Sequence, residues 1–186
     1  MNFTHLHVHT EYSLLDGSNK IKEYVDRVKE LGMDSAAITD HGVMYGCIDF
    51  YKACKKAGIN PILGCEVYVA PGSRFDKEAG NGEDRYYHLV LLAENNQGYS
   101  NLMKIVSKSF VEGFYYKPRV DLDLLREYHE GLIALSACLA GEVARYLTRG
   151  MYEEGKKAAL CYEEIFGKGN FFLELQDHGI PEQQTV

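Results

Sequence analysis

The chain has 186 residues, 46% of them hydrophobic, which is enough for one domain with a sizeable core. Its formal net charge of −7 argues against a free-standing module that holds duplex DNA tightly on a basic surface. Five cysteines without a CxxC pair argue against a disulfide framework, and neither a signal peptide nor an apolar run of membrane-spanning length is visible. We therefore expect a soluble, cytoplasmic protein with reduced thiols.

The first predicted element is a strand over residues 3–9 that carries three histidines on one face. Because side chains two residues apart project to the same side of a strand, His5, His7 and His9 point together, and Asp16 follows shortly after. Imidazole rings are unfavourable to bury unless each ring nitrogen has a partner, and a metal ion provides one. The alternatives are a solvated strand with incidental histidines or an expression tag, although the interspersed apolar residues and the lack of a six-histidine run argue against a tag.

The rest of the chain alternates short apolar runs with segments of helical period, a pattern typical of parallel strands joined by crossover helices. In chain order we predict a helix capped by Ser18, a strand at 36–39, a helix at 45–56, strands at 62–69 and 87–93, helices at 98–111 and 122–128, a strand at 132–135, helices at 142–147 and 152–166, and a strand at 171–175. The glycine-rich, charged segment 71–84 predicts an exposed, mobile loop. Because Pro181 begins another predicted helix just before the sequence stops at Val186, we expect a fragment of a longer protein.

Side chains able to bind a metal recur near the ends of these strands. His41 follows the second strand, Glu66 is late in the third, and Cys138 follows the fifth. In βα barrels the active site lies where the carboxyl ends of the strands meet. We therefore expect these three residues to converge on one cavity although they come from distant parts of the chain.

The same argument ranks the remaining histidines. His7 and His9 lie nearer the carboxyl end of the first strand than His5, which is better interpreted as a supporting or surface residue. His88 begins the fourth strand, so it fits the arrangement only if that strand slips or the barrel is irregular.

Each candidate also has a simpler interpretation. His41 stands between an aspartate and a glycine and is equally a turn residue. Glu66 lies among apolar strand residues and needs a partner of some kind, whether or not this is a metal. Cys138 is equally an inert buried thiol, the commoner fate of a lone cysteine.

Seven short motifs, taken in order, carry a resemblance to a known family. They are HLHVHT at 5–10, YSLLDG at 12–17, ITDHG at 38–42, GINPILGCE at 58–66, EGFY at 112–115, KPR at 117–119 and GLIALS at 131–136. The chain resembles the PHP (polymerase and histidinol phosphatase) domain over essentially all of its length. It is more closely similar to the amino-terminal PHP domains of bacterial replicative polymerases, the DNA polymerase III alpha subunits.

The resemblance implies a distorted βα barrel of the α/β class, seven-stranded in the family, with up to three metal ions in its site. Residues 1–186 would be one PHP domain, truncated before its last strand or strands. The family's ligand pattern matches seven residues of this sequence: His7, His9, Asp16, His41, Glu66, His88 and Cys138. A later Asp-x-His pair of the family would lie beyond the sequence, and Asp177-His178 is not that pair. The mixed nitrogen, oxygen and sulfur ligands favour zinc, with manganese or iron as alternatives.

The resemblance also implies an activity, the hydrolysis of phosphodiesters as 3′–5′ exonuclease proofreading of a primer end. The nucleophile is then expected to be a metal-bound water and not a side chain. Asp40 is expected to orient a neighbouring imidazole. Arg74 and Arg119, which lie in predicted loops, are expected either to meet substrate phosphates or to be ordinary surface residues.

The implied partners are primer–template DNA, held through the full-length polymerase, and replisome subunits such as a separate proofreading exonuclease; no membrane is involved. The catalytic carboxylates of the polymerase would lie beyond Val186. One alternative is a scaffolding domain that docks the separate exonuclease. Another is a free-standing phosphatase of the histidinol-phosphate type, which the KPR motif and the abrupt end of the sequence disfavour.

Overall fold

Six strands form the sheet at the centre of the protein, of which this computed structural model describes residues 3–78 and 85–186. The strands are β1 (Ser35–Ile38), β2 (Asn60–Val69), β3 (Tyr87–Ala93), β4 (Arg119–Val120), β5 (Leu132–Leu135) and β6 (Phe171–Phe172). Hydrogen bonding follows the order β1-β2-β3-β5-β6, and β4 pairs with β2 outside this path. The α/β class predicted from the alternating pattern is confirmed.

β3 runs antiparallel to both of its neighbours, although the sequence pattern predicts parallel strands. His88 at its start lies opposite Tyr68 near the carboxyl end of β2, whereas Leu92 lies opposite Gly64. The amino end of β3 therefore lies at the same edge of the sheet as the carboxyl ends of β2 and β5. Strand slippage is not needed to bring His88 there, because the reversed direction of β3 is sufficient.

The amino-terminal segment is extended but does not form the strand predicted for residues 3–9. The backbone N–H of Thr39 donates to the carbonyl of Val8 (2.9 Å), and the N–H of Val8 donates to Thr39 Oγ1 (2.8 Å). On the other side, His7 Nδ1 lies 2.8 Å from Oε1 of Glu174, which follows β6. The segment thus lies between the outer strands β1 and β6 and joins them through a few contacts and not through a regular ladder.

Six helices accompany the sheet in the described part of the chain. They are α1 (Ile21–Glu30), α2 (Cys47–Ala57), α3 (Asn96–Val111), α4 (Leu122–Tyr128), α5 (Glu142–Thr148) and α6 (Tyr152–Phe166). α2 ends at Gly58, whose φ of 78° is the left-handed conformation expected of a glycine stop. Ser18 does not cap α1; the N-cap is Lys20, which forms no side-chain capping bond. The helix boundaries otherwise agree with the predicted ones to within two residues.

Two apolar clusters fix these helices on the sheet. The larger one joins β2, β3 and β5 to α3, α4 and α6 through fully buried side chains such as Leu89, Leu102 and Leu124. The smaller one packs α1 and α2 against β1 around Phe50 and Val25. The strands that carry the candidate ligands are therefore held by apolar packing along their length.

The segments outside these elements differ in part from the predictions. Residues 71–78 of the predicted loop form turns and bends, and residues 79–84 lie outside the described part of the chain. Residues 181–184, predicted to begin a helix, form a single 3₁₀ turn, and a second such turn covers residues 11–13. Within the described residues, no helix combines the length and the apolarity needed to cross a membrane.

Candidate metal centre

The carboxylate of Glu66 lies at the centre of a group of four histidines. Its side chain is only 1% exposed. His7 Nε2 and His88 Nδ1 each lie 3.1 Å from Oε1, His9 Nε2 lies 3.8 Å from Oε2, and His41 Nδ1 contacts Oε2. We call these five residues the Glu66 cluster. The structure therefore places four of the seven predicted ligands directly around a fifth, the carboxylate of Glu66.

Backbone pairing explains why His41 and Glu66 meet. β1 and β2 are parallel, and the pairing continues beyond β1: Glu66 N donates to the carbonyl of Asp40 (3.1 Å), and Gly42 N donates to the carbonyl of Glu66 (2.8 Å). Gly42 has a φ of 65°, and a Cβ there would stand 2.9 Å from the Tyr68 ring. A glycine is therefore required at this position for the chain to turn away directly after His41.

The other two predicted ligands lie at the margin of the cluster. Asp16 Oδ2 is 2.7 Å from His41 Nε2, on the side of that ring away from Glu66. Cys138 Sγ is 3.6 Å from His88 Nδ1 and 4.0 Å from Glu66 Oε1, and burial raises the pKa of its thiol to about 11. Asp16 is thus placed to contact the cluster through His41, and Cys138 is placed beside His88.

Glu174 is a residue of this site that the sequence analysis does not single out. Its Oε1 lies 2.8 Å from His7 Nδ1, and its backbone N–H donates to Ser136 Oγ (2.8 Å), which fixes the segment after β6 against the end of β5. The signal that identified Glu66, a carboxylate within a predicted apolar strand, also applies to Glu174. His5, in contrast, is exposed and packs on Phe3, in agreement with a surface position.

The carboxylate of Asp40 is buried and is linked to the cluster through an intermediate hydroxyl. It accepts hydrogen bonds from the backbone N–H and the hydroxyl of Thr10 (2.6 and 2.8 Å) and from Ser13 Oγ (2.8 Å). Ser13 Oγ in turn lies 3.5 Å from His9 Nδ1 and accepts a bond from the N–H of His41. No imidazole contacts Asp40 directly, so any orienting effect of Asp40 on His9 passes through Ser13.

Burial and hydrogen bonding oppose each other in setting the charges of the cluster. Burial disfavours the protonated form of His7, but hydrogen bonds to Glu174 and Glu66 outweigh it and raise its pKa to about 9. Burial likewise opposes the ionisation of Glu66, but the neighbouring imidazoles of His41, His7 and His88 hold its pKa well below the usual range. For His9, burial dominates and lowers the pKa. The site is therefore built around a negative charge that attracts positive charge from its surroundings.

Three buried polar atoms at the centre of the cluster, His7 Nε2, His41 Nδ1 and Glu66 Oε2, meet only other members of the cluster, in contacts too poorly aligned to satisfy them. Ligand atoms of His7, His9 and Glu66 lie within 4.8 Å of one another, and so do those of His41, Glu66 and His88. Buried polar groups are normally satisfied, and unpaired lone pairs that converge on one point match the requirement of a cation. The donor set thus fits two divalent metal ions that share Glu66.

Arg74 and Arg119, the two predicted phosphate contacts, are engaged elsewhere. Arg74 forms ion pairs with Glu112 (2.7 Å) and Asp121 (2.8 Å), and Lys108 also pairs with Glu112 (2.8 Å). We call these four residues the Arg74 cluster. Arg119 is fully buried, lies in β4 and not in a loop, and donates to the carbonyl of Asp76 (2.5 Å). Both arginines therefore have partners within the protein. These contacts agree neither with a contact to substrate phosphates nor with an ordinary surface position, the two expected alternatives.

Aromatic rings form one wall of the site. The ring of Tyr68 lies 5.2 Å from the His88 ring and 6.2 Å from the His41 ring, measured between centroids. Lys117 Nζ lies 5.2 Å from the centroid of the Tyr68 ring, and Arg85 stacks on the ring of Tyr116 at 4.3 Å. A positively charged and aromatic rim therefore borders the negatively charged cluster.

The chain is similar to one family model and to several known proteins. A family model described as the PHP domain matches residues 5–178. The chain is 50% identical over 186 residues to DNA polymerase III subunit alpha of Treponema pallidum (strain Nichols), and 45% identical over 190 residues to that of Aquifex aeolicus (strain VF5). Each alignment covers 100% of this chain and 16% of the relative, so the chain spans a small part of these proteins. Among solved structures, a protein of Bifidobacterium adolescentis described as a metal-dependent phosphoesterase matches 59% of this chain and 34% of its own, with 20% identity and a TM-score of 0.43.

Proposed function

The chain belongs to the PHP domain family, and from this premise we propose that it is the PHP domain of a replicative DNA polymerase whose Glu66 cluster binds divalent metal ions and hydrolyses phosphodiester bonds. The reaction we propose is 3′–5′ removal of nucleotides from a primer end. Residues 1–186 then form one domain of a longer polypeptide that also carries the polymerase active site and contacts DNA and other replisome subunits.

One observation carries the metal-binding part of this proposal. A single buried carboxylate faces four imidazoles, and three ring and carboxylate atoms at their meeting point have only poorly aligned contacts with one another. Protons alone could not satisfy such a cluster without placing several positive imidazolium groups side by side. Divalent ions replace these protons and leave the imidazoles neutral.

The chain prepares its ligands through a second set of contacts. When Glu174 accepts the proton of His7 Nδ1, the lone pair on Nε2 points towards Glu66. Asp16 has the corresponding effect at His41, where it contacts Nε2 and leaves Nδ1 facing the cluster. Both carboxylates thus select the tautomer that binds metal. When bound, divalent ions lower the pKa of water and neutralise charge on a phosphodiester.

The identity of the metal follows from the donor atoms. Imidazole nitrogens dominate, one thiol stands beside His88, and carboxylates complete the set, which favours zinc over magnesium and also suits manganese or iron. The burial of Glu66 excludes most of the solvent shell that magnesium prefers to retain. We therefore propose zinc for the most tightly held ion.

The test compares Glu66→Gln with wild type in the full-length gene product. We expect Glu66→Gln to remain folded, to lose metal as measured by inductively coupled plasma mass spectrometry, and to lose 3′–5′ hydrolysis of a single-stranded oligonucleotide. The matched control is Glu142→Gln, which changes a half-buried glutamate that accepts a hydrogen bond from Tyr162 and is not a member of the Glu66 cluster. This control should retain metal and hydrolysis.

Two results would contradict the proposal in different ways. If Glu66→Gln retained both metal and hydrolysis, the cluster would not be the metal site. If wild type bound metal but hydrolysed no phosphodiester, the domain would have the scaffolding role, and its docking of a separate exonuclease would then be measured directly. Preference for a small phosphate monoester over the oligonucleotide would favour the phosphatase alternative.

A further inference from the structure

Lys117 is a cation beside the Glu66 cluster for which the described residues 3–78 and 85–186 provide no ion-pair partner. Its ammonium group lies 5.2 Å from the centroid of the Tyr68 ring, and that ring contacts the rings of His41 and His88. Within the described residues Lys117 forms no ion pair, whereas Arg74 and Lys108 are both bound to carboxylates. One aromatic ring therefore separates this positive charge from two of the candidate ligands.

The turn that carries Lys117 is held in an unusual backbone conformation. Tyr116 has a φ of 61°, in the left-handed region that residues other than glycine rarely adopt. The backbone N–H of Tyr115 donates to the carbonyl of Lys117 (3.0 Å). Such a conformation persists only where the surroundings enforce it, and it is most often found at functional sites. The turn ends at Pro118, whose ring would stand 3.0 Å from a Cβ at Gly42 and therefore packs beside the His41 turn.

Two further basic residues, Arg119 and Lys77, stabilise this turn through hydrogen bonds to backbone carbonyls. Arg119 donates to the carbonyls of Gly113 (3.3 Å) and Asp76 (2.5 Å), and Lys77 Nζ donates to the carbonyls of Glu112 (2.9 Å) and Phe114 (3.0 Å). These bonds connect both ends of the turn to the segment after β2. Arg119 and Lys77 thus stabilise the backbone of the turn, whereas Lys117 is presented at the rim of the site.

We propose that Lys117 binds a non-bridging phosphate oxygen of the substrate held at the Glu66 cluster. This inference rests on the proposed phosphodiester hydrolysis and names the residue that recognises the phosphate, a role that the buried Arg119 and the paired Arg74 do not fill. An ammonium group on a four-carbon stem is a strong donor to phosphate and can swing from an aromatic face to an anion. Phosphate oxygens compete well for it, because the face of Tyr68 offers no hydrogen-bond acceptor.

The experiment measures phosphate recognition separately from metal binding, in the full-length gene product loaded with Mn²⁺. The variants are Lys117→Ala and Lys117→Arg, and the control is Lys104→Ala, which removes a lysine held at 5.3 Å over Tyr128 in the same kind of contact on α3. Calorimetric titration gives the Kd of inorganic phosphate, and bis(4-nitrophenyl) phosphate gives KM and kcat for a minimal phosphodiester. Metal content is measured for every variant.

We expect Lys117→Ala to raise the Kd of phosphate and the KM of the diester about tenfold, the usual size for one charge-assisted hydrogen bond, while its metal content stays at the wild-type level. Lys117→Arg should recover most of this loss, and Lys104→Ala should show none. Wild-type Kd and KM in Lys117→Ala would overturn the inference and leave the metal site intact. If wild type held no metal, the hydrolase proposal would fail, and Lys117-dependent binding of phosphate to the metal-free protein would then decide whether the anion site stands alone.

Discussion

The Arg74 cluster and the Glu66 cluster both hold ionisable side chains that are largely shielded from solvent, but the partners of their carboxylates differ. In the Arg74 cluster, Asp121 receives the guanidinium and backbone N–H of Arg74 and also caps α4 through the N–H of Leu124. In the Glu66 cluster, the ionisable partners of the carboxylate are four imidazoles, whose charge depends on their protonation, with the Cys138 thiol 4.0 Å away.

This difference separates a charge network whose partners the chain itself supplies from one that is able to hold a metal ion. A guanidinium is always charged and donates through several N–H groups, so each carboxylate of the Arg74 cluster is neutralised by the chain itself. A neutral imidazole presents a lone pair as readily as a proton, and in the Glu66 cluster two such nitrogens and one carboxylate oxygen converge without a well-aligned hydrogen bond. In this protein, whether the chain supplies a partner for every charged group therefore distinguishes the structural network from the candidate binding site better than burial or the number of charges.

The largest expected effect comes from breaking the complete network. Asp121→Ala removes the cap of α4 and leaves Arg74 without one of its two carboxylates, so we expect it to lower the free energy of unfolding by about 3 kcal/mol. Denaturation by urea measures this loss. The affinity for metal of the folded variant should remain that of wild type, and a parallel loss of metal binding would contradict the separation of the two clusters.

An intermediate effect is expected from a residue that supports the Glu66 cluster without being one of its predicted ligands. Glu174→Gln keeps the shape of the side chain but weakens its hold on His7 Nδ1, so we expect the affinity for zinc to fall about tenfold. Competition with a chromophoric chelator measures this change, and the free energy of unfolding of the metal-free protein should change little. An unchanged affinity would show that Glu174 has no part in selecting the His7 tautomer.

The smallest effect concerns Glu142, a half-buried carboxylate that lies outside both clusters. Burial raises the pKa of Glu142, so its contribution to stability is present below the unfolded pKa and is lost as the pH rises through the folded value. Glu142→Gln removes this dependence while keeping an acceptor for the hydroxyl of Tyr162. We expect the variant to gain stability relative to wild type as the pH increases from 4 to 8, as measured by thermal unfolding. A constant difference across this range would contradict the assignment.

Much of this organisation was predictable from local sequence patterns. The helices follow from apolar residues at helical spacing, and α4 and α6 have the predicted boundaries. The direction of β3 was not predictable, because a strand has the same alternation whether it pairs parallel or antiparallel. The lack of a regular ladder around His7 was not predictable for a similar reason: alternation describes which way side chains point, and not whether a neighbouring strand is present.

The candidate site was predictable to the extent that its residues were distinctive. Side chains that are able to bind a metal recur near the strand ends, and this pattern predicts that they lie close together. The structure places His7, His9, His41 and His88 around Glu66. The contacts of Arg74 and Arg119 were not predictable because their partners are distant in sequence: Arg74 pairs with a carboxylate that caps α4, and Arg119 is bound to carbonyls of two other loops. Glu174 and Lys117 became candidates only once the fold showed what lies beside them.

Anomalous X-ray scattering from crystals of the protein grown with zinc tests the central claim most directly. We predict strong anomalous peaks at the Glu66 cluster, one among His7, His9 and Glu66 and one among His41, Glu66 and His88, and none at the Arg74 cluster. Data collected on either side of the zinc absorption edge identify the metal. Ordered Glu66 and histidine side chains without an anomalous peak between them, in crystals whose protein binds zinc in solution, would contradict the assignment of this cluster as the metal centre.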